Sequence, residues 1–295
     1  MKSAVSLFLL CFVILSCEKS VDFDLAQTQP KLTVEAIIEN GQAPVVILSK
    51  SIDYFSTISL QQLTDLFVHD AVVEISNQRH THRLKEYAVP LGAGFFYYYY
   101  STDSSSLATA ISGELNTPYS LSITVDNEHY TATTTIPNIT KRIDSVWWKP
   151  MPNDTSHKKV TLIMKSTDPS GFGDYARYWT KKNNESFLPG YASVFDDLVI
   201  DGSTYELEVE PGFNRNKSRN DNEDEGAFRK GDTVTIKLSN IDRATYDFWR
   251  TMEFTYQSVG NPFSTPTKVV SNINGNALGY FGGYASQYRQ LVIPQ

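Results

Sequence analysis

The 295 residues predict a mainly β protein: an N-terminal immunoglobulin- or transthyretin-like sandwich, then a second β-sandwich or barrel-like domain with one amphipathic helix. Three observations carry that expectation. Strand-forming residues dominate, with 17 Tyr and 16 Phe against 4 Met, while long helical periods of Leu, Ala, Glu and Lys are scarce. Apolar and polar residues alternate with a period of two in one short segment after another. One stretch, near residues 242–259, repeats instead at the three-to-four-residue spacing of a helix.

The alternation begins after Pro30. Leu32, Val34, Ala36 and Ile38 share one face of a strand, with Lys31, Thr33, Glu35 and Ile37 opposite. Asn40-Gly41 is a turn, and residues 45–48 form the next strand. Residues 56–66 read as a loop or one helical turn. Ala71, Val73 and Ile75 share a face, and Asn77-Gln78 turns into a strand over 79–84. Gly94 opens an aromatic strand over 95–100, with Phe95, Tyr97 and Tyr99 on one face and Phe96, Tyr98 and Tyr100 on the other. Tyr119, Leu121, Ile123 and Val125 alternate next, Asp126-Asn127 makes a tight turn into 130–136, and Pro137 ends the run. About seven strands in about 110 residues is the size of one sandwich.

A boundary is therefore expected at Pro137-Asn138, with a β-sandwich domain over 31–137 and a second β-rich domain over 138–295. Strands are expected there over 143–148, 159–165, 175–180, 204–210 and 233–238. Residues 214–226, rich in Asn, Arg, Asp and Glu, read as a mobile hairpin tip. Asn240 or Asp242 caps the helix, Thr245, Trp249, Met252, Tyr256 and Val259 form its apolar stripe, and Gly260 ends it. Two strands, 268–273 and 277–286, and a last edge strand near 290–293 complete the expectation.

The N-terminus sets an address. Lys2, an apolar run from Ala4 to Leu15 broken by Ser6, and small Ser16 form a signal peptide over 1–16. The run falls short of the roughly 20 apolar residues a spanning helix needs. Ile14-Leu15-Ser16-Cys17 resembles a bacterial lipobox, so Cys17 is the expected lipid-attachment site and 17–30 a polar tether; Leu10 is too large to precede a cut at Cys11. Glu18, with Asp22 and Asp24, points to the outer membrane, with the cell surface favoured over the periplasmic leaflet. Removing Lys2 takes the net charge from −7 to −8, which disfavours nucleic acid as a partner. Cys11 and Cys17 are the only cysteines, one discarded and one lipidated, so the mature fold has no disulfide.

Several segments together resemble a known family: Cys17-Glu18-Lys19 with Asp22 and Asp24, Lys31-Leu32-Thr33-Val34-Glu35, Ala71-Val72-Val73-Glu74-Ile75, Gly94-Phe95-Phe96-Tyr97, Pro118-Tyr119-Ser120-Leu121, Gly260-Asn261-Pro262-Phe263, Ser271-Asn272-Ile273 and Gly279-Tyr280-Phe281-Gly282. The chain resembles the domain of unknown function 4249 family, outer-membrane lipoproteins of Bacteroidota, over nearly its whole mature length. The resemblance implies an accessory surface lipoprotein beside a TonB-dependent receptor. It supplies no reaction and no catalytic residue.

No motif makes the chain an enzyme. Gly-x-Ser-x-Gly, His-Glu-x-x-His and a Gly-rich phosphate loop are absent. His80 and His82, two apart on a strand, are spaced to chelate a metal with a third ligand such as His69, but read as a hydrated face. Asp221, Glu223, Asp224 and Glu225 lack an EF-hand's spacing and read as a solvated cluster balanced by Arg215, Lys217 and Arg219. Asp196-Asp197 and the solvent-facing Glu206, Glu208 and Glu210 do not pair across a cleft as glycoside hydrolysis requires. No metal and no cofactor is expected. Asp144-Ser145-Val146 and Asp232-Thr233-Val234 resemble a short O-glycosylation motif at Ser145 and Thr233. Recognition falls to aromatics: Tyr97 and Tyr99 on a face that is an exposed stripe or, the favoured reading, buried under a loop, and Asn261, Pro262 and Phe263 in a stiff loop that docks a partner or, the favoured role, pins the helix to the last strands.

The expected function is that of a ligand-binding or accessory partner of a TonB-dependent receptor, handling a peptide or glycan nutrient. The alternatives are a surface hydrolase with an unrecognised site and a structural or adhesive envelope lipoprotein.

Overall fold

The computed structural model describes residues 29–52, 60–214, 227–259, 261, 263–265 and 267–295. The expected signal peptide, Cys17, most of the tether, the charged stretch 215–226, Gly260 and Pro262 lie outside the described residues. The chain is mainly β, with two sheets and one main helix. Among the described residues no helix is long and apolar enough to cross a membrane.

The first part of the chain forms β1 (Leu32–Glu39), β2 (Val45–Lys50), a short α1 (Leu60–Asp65), β3 (Val72–Ser76), β4 (Thr81–Gly92), β5 (Phe95–Thr102), β6 (Thr117–Val125) and β7 (Glu128–Ile136). Alternation does what the sequence predicts: Leu32, Val34, Ala36 and Ile38 are buried, as are Ala71, Val73 and Ile75, and Tyr119, Leu121 and Ile123. Asp126 and Asn127 both adopt positive φ, 52° and 63°, the geometry that a two-residue hairpin turn between right-twisted strands demands. In the aromatic strand the even face is core only at Tyr100, 3% exposed; Phe96 is 38% exposed.

The remainder forms β8 (Arg142–Pro150), β9 (Lys159–Thr167), β10 (Tyr175–Lys182), β11 (Leu188–Phe195), β12 (Thr204–Val209), β13 (Phe228–Arg229), β14 (Thr233–Ile241), α2 (Arg243–Ser258), β15 (Ile273–Asn274) and β16 (Leu278–Val292). Strand β11 escaped the sequence reading because Pro189 and Gly190 look like breakers. It is an edge strand, where a proline costs no ladder bond. The expected strand over 268–273 shrinks to the two-residue β15.

A larger correction concerns the C-terminus. The two segments expected over 277–286 and 290–293 are one fifteen-residue strand, β16, and it is central, not an edge. Thr33 to Glu39 of β1 pair in parallel with Leu278 to Tyr284, while Thr233 to Ile241 of β14 pair antiparallel with Val292 to Tyr284. Alternation reports which way side chains point, not which strands lie alongside, so partners 245 positions apart (Thr33 and Leu278) leave no local trace.

The large sheet runs β11-β10-β14-β16-β1-β2-β5-β4-β3-β6-β7-β15 and folds back on itself at β4, which pairs with β3 through 81–83 and with β5 through 84–92. One core fills the fold, uniting Val34, Ile38, Leu48 and Phe281 with Ile75, Leu121 and Ile136. The residues before the expected boundary at 137/138 thus share their core with Ile273, Phe281 and Ala285. At the other end, the small sheet β8-β9-β12/β13 packs on one face of β10 and β14 through Leu162, Met164, Tyr178, Ile236 and Leu238. Helix α2 covers the opposite face through Tyr246 and Phe248 on Ile241, Tyr280 and Tyr284. Backbones come close where β16 enters: a Cβ on Gly279 would lie 1.8 Å from the Val34 carbonyl oxygen, and one on Gly283 2.6 Å from that of Thr135.

Because β16 completes the first core, the whole chain is expected to unfold in a single urea transition. Phe281→Ala should lower its stability by about 3–5 kcal/mol, the usual cost of emptying a buried aromatic site. Two separate transitions, with only the later one moved by the substitution, would refute the shared core.

Candidate functional site

The helix is fixed before its cleft can form. Asp242 caps α2 by accepting from the Thr245 amide (2.9 Å), and its other oxygen accepts from Thr134 Oγ1 and the Thr135 amide of β7, both at 2.8 Å. One carboxylate thereby satisfies the helix N-terminus and ties it to the sheet. Further along, buried Glu253 accepts from the amide (3.0 Å) and hydroxyl of Ser193 on β11, and Arg177 Nε of β10 donates to the same hydroxyl at 3.1 Å.

Between helix and sheet lies a cleft of about 320 Å³, lined by Glu35, Ile37 and Glu39 of β1, Arg177 and Trp179 of β10, Pro189, Lys237, Trp249, Tyr280 and Tyr284. Its aromatic walls are ordered. Phe248 stacks on Tyr280 at 4.4 Å, Trp249 meets Tyr280 edge-on at 5.1 Å and Trp179 meets Tyr284 edge-on at 5.7 Å. Trp249 Nε1 donates to Tyr284 Oη (2.9 Å), which donates to Tyr280 Oη (3.2 Å). The Arg177 guanidinium lies 3.3 Å from the Trp249 ring centre and 4.7 Å from that of Trp179, a cation–π arrangement that keeps a buried charge among rings.

The two carboxylates of β1 differ. Glu39 accepts from Lys237 and from Tyr288. Glu35 makes no hydrogen bond with any described residue; solvent reaches it, yet protein surrounds it in the cleft, and desolvation raises its pKa against the pull of Arg177. Burial raises the pKa of both Tyr280 and Tyr284, so their hydroxyls stay neutral. The cleft therefore offers flat aromatic surface, one unengaged carboxyl and cations held at its wall. Such a surface suits stacking on a ring or an apolar side chain with polar groups at its margin.

Tyr97 and Tyr99 lie on the same sheet face, since Ser101 pairs with Val45 and Val45 with Ile37. Tyr97 meets Phe67 edge-on (5.6 Å) and Tyr99 stacks on Tyr87 (5.7 Å), so both are half-buried in a ladder. Burial first, then the charge of Glu35, pushes the Tyr97 pKa to about 12. Glu35 thus joins the aromatic strand to the cleft. Phe263 is 94% exposed and Asn261 Oδ1 accepts from its amide at 3.0 Å; the expected pinning of the helix on the last strands is not Phe263's role, because the turn aims its ring at solvent. Pro262 lies outside the described residues.

A second hollow, about 580 Å³, lies beside Asp70, His82, Glu86, Tyr100, Asp103 and Thr109. Its histidine is already engaged. The Asp103 amide donates to His82 Nε2 (3.0 Å), so Nδ1 carries the proton toward Thr109 Oγ1 (2.9 Å). Both nitrogens are occupied; His82 is buried rather than on the hydrated face expected of it, and His80 is exposed. Asp196 accepts from Tyr246 Oη and Asp197 from loop amides, while Glu206, Glu208 and Glu210 face solvent. Ser145 is exposed and Thr233 half-buried.

The sequence reading missed Glu35, Arg177, Trp179, Lys237 and Tyr284 as one site. They come from β1, β10, β14 and β16, and on each strand they look like the polar or outward face. Trp249 alone carried a signal, through the helical stripe.

A family model described as Domain of unknown function (DUF4249) matches residues 18–290. No curated protein matches the chain.

Two outcomes follow from this geometry. Asp242→Ala should cost at least the upper end of the usual cap loss of about 0.5–2 kcal/mol, because Thr134 and Thr135 lose their acceptor too; urea denaturation measures it. Burial lowers the His82 pKa below its usual value, only partly offset by the charge of Asp103. The unfolded chain then takes up the proton first, so the stability present above the ordinary histidine range is lost as pH falls through that range toward the lowered value. Melting temperature should drop between pH 7.5 and 5.5, and His82→Gln should flatten that drop; an unchanged pH slope would count against it.

Proposed function

The chain belongs to the Domain of unknown function (DUF4249) family, and from that premise we propose a surface lipoprotein that binds a peptide or glycan in the cleft beneath α2. The observation that carries the reading is the cleft wall: Trp179 and Trp249, half-buried over the buried Tyr280 and Tyr284, present aromatic surface next to Arg177, Lys237 and the unengaged Glu35. Aromatic faces stack on the apolar face of a sugar ring or on apolar side chains, and the charged margin orients what is stacked.

Lipidation at Cys17 would hold this cleft at the outer membrane, beside a TonB-dependent receptor that takes the ligand onward. Tethering supports weak contacts by raising local concentration. Binding fits the cleft better than hydrolysis does, because Glu39, the second carboxyl there, is committed to Lys237 and Tyr288, whereas a glycoside hydrolase needs two carboxyls free to act.

Titration with peptide and oligosaccharide pools should change tryptophan fluorescence. Trp179→Ala should weaken the binding about tenfold, the worth of about 1.4 kcal/mol of stacking. Crosslinked cells carrying the tagged protein should yield a TonB-dependent receptor. Equal binding by the Trp179→Ala variant would remove the cleft from the account, and recovery of no receptor would remove the partnership.

A further inference from the structure

Away from the cleft, the loops after β9 and β11 bring three aspartates together. Asp168 follows β9, Asp174 precedes β10 and Asp197 lies just beyond β11; one carboxylate oxygen from each lies within 4.8 Å of the others. Asp168 and Asp197 are 1% and 2% exposed, and Asp174 is half-buried. Most of their hydrogen bonds are short and internal. Asp197 Oδ2 accepts from the amides of Gly173 (2.7 Å) and Asp174 (2.9 Å), and Asp174 Oδ1 accepts from Thr140 Oγ1 (2.7 Å). Asp168 Oδ1 accepts from Nζ of Lys141, which is itself fully buried.

Two facts remain unaccounted for by these bonds. Asp168 Oδ2 is buried and has no hydrogen-bond partner among the described residues. The charges also fail to match: three carboxylates face one ammonium, which leaves two negative charges unmatched at a site where two of the three acids are out of solvent. A buried carboxylate oxygen without a partner is strongly unfavourable, and neighbouring like charges make it more so. The Asp168 pKa is raised accordingly, by burial first, with Lys141 opposing and the charges of Asp174 and Asp197 adding to it.

We propose that Asp168, Asp174 and Asp197 bind a calcium ion, with Asp168 Oδ2 as a ligand. All three side-chain donors are carboxylate oxygens, which suit a hard cation and not zinc or copper. Two positive charges, added to that of Lys141, balance the three carboxylates. Calcium tolerates an irregular shell of six to eight oxygens at about 2.3–2.6 Å, whereas magnesium demands a near-ideal octahedron at about 2.0–2.1 Å. Acids drawn from two separate loops, with oxygens up to 4.8 Å apart, fit the looser shell. The ion clamps the two loops where Gly171 N already donates to Asp201 Oδ1 (2.6 Å) and Asp201 N to the Asp197 carbonyl (2.9 Å). It thereby steadies β11, which supplies Pro189 to the cleft and Ser193 to its supporting network.

Chelator-treated protein titrated with calcium chloride, and separately with magnesium chloride, tests this by calorimetry and by melting temperature. One calcium per chain should bind, and the melting temperature should climb with calcium concentration, as expected for a ligand of the folded state. Asp174→Asn should weaken calcium at least tenfold, while Glu206→Gln, on a solvent face, should leave it unchanged. Asp174 is the least buried of the three, so this variant should fold, which circular dichroism checks; Asp197→Asn gives a second reading of the same site. Absence of calcium heat and of any melting shift at millimolar calcium would overturn the assignment, as would tighter binding of magnesium or undiminished calcium affinity in Asp174→Asn.

Discussion

The structure depends on one strand having two neighbours of opposite direction. The N-terminal half of β16 runs parallel to β1 and its C-terminal half antiparallel to β14, with Tyr284 opposite both Glu39 and Ile241. Its two faces then serve three different surroundings. Phe281 and Ala285 enter the folded-over core, Leu291 packs on the core beneath the small sheet, and Tyr280 and Tyr284 face the helix. A slip of one residue would exchange these assignments along the whole strand, and bare backbone at Gly279 and Gly283 is what lets the strand seat at this register.

The cleft is a product of that seating. Parallel pairing brings Glu35 and Glu39 beside the tyrosines of β16, and antiparallel pairing brings Lys237 to the same row. The helix then covers the row, held at one end by Asp242 on β7 and in the middle by Glu253 on β11. Charge and aromatic surface coexist because each cation has been given a place: Lys237 beside Glu39, and Arg177 between tryptophan rings with Ser193 at its Nε. Glu35 is the one carboxyl in the row left without a hydrogen bond from a described residue, which marks it as the group a ligand would meet.

Local chemistry was legible in the sequence to a useful degree. Alternation located β1, β3, β6 and β7; Asp126-Asn127 fixed the turn between β6 and β7; and the spacing from Thr245 to Val259 gave α2, with Asp242 the cap of the two offered, although Tyr256 and Val259 of the expected stripe are exposed. Pairing was not legible. Nothing near Leu278 says that its partner is Thr33, and the polar residues Gln287 to Gln290 looked like the end of one strand and the start of another, although β14 pairs through all of them. The site suffered for the same reason. Glu35 was read as one side of an alternating strand, Arg177 and Lys237 fell inside expected strands with no role assigned, and Asp168, Asp174 and Asp197 are near one another only because two loops meet. Residue types told which way each side chain points; only the topology told what stands in front of it.

The strand shared by β1 and β14 also fixes an order of events. A ribosome delivers β1 long before β16, and the core around Val34 and Ile38 has no Phe281 to close it until then. Domains that fold during synthesis close on nearby partners, whereas β1 here waits for a partner 245 positions further on (Thr33 and Leu278), the slow case of high contact order. The first core therefore stays open until β16 has been made, and a stop before β16 leaves it without Phe281.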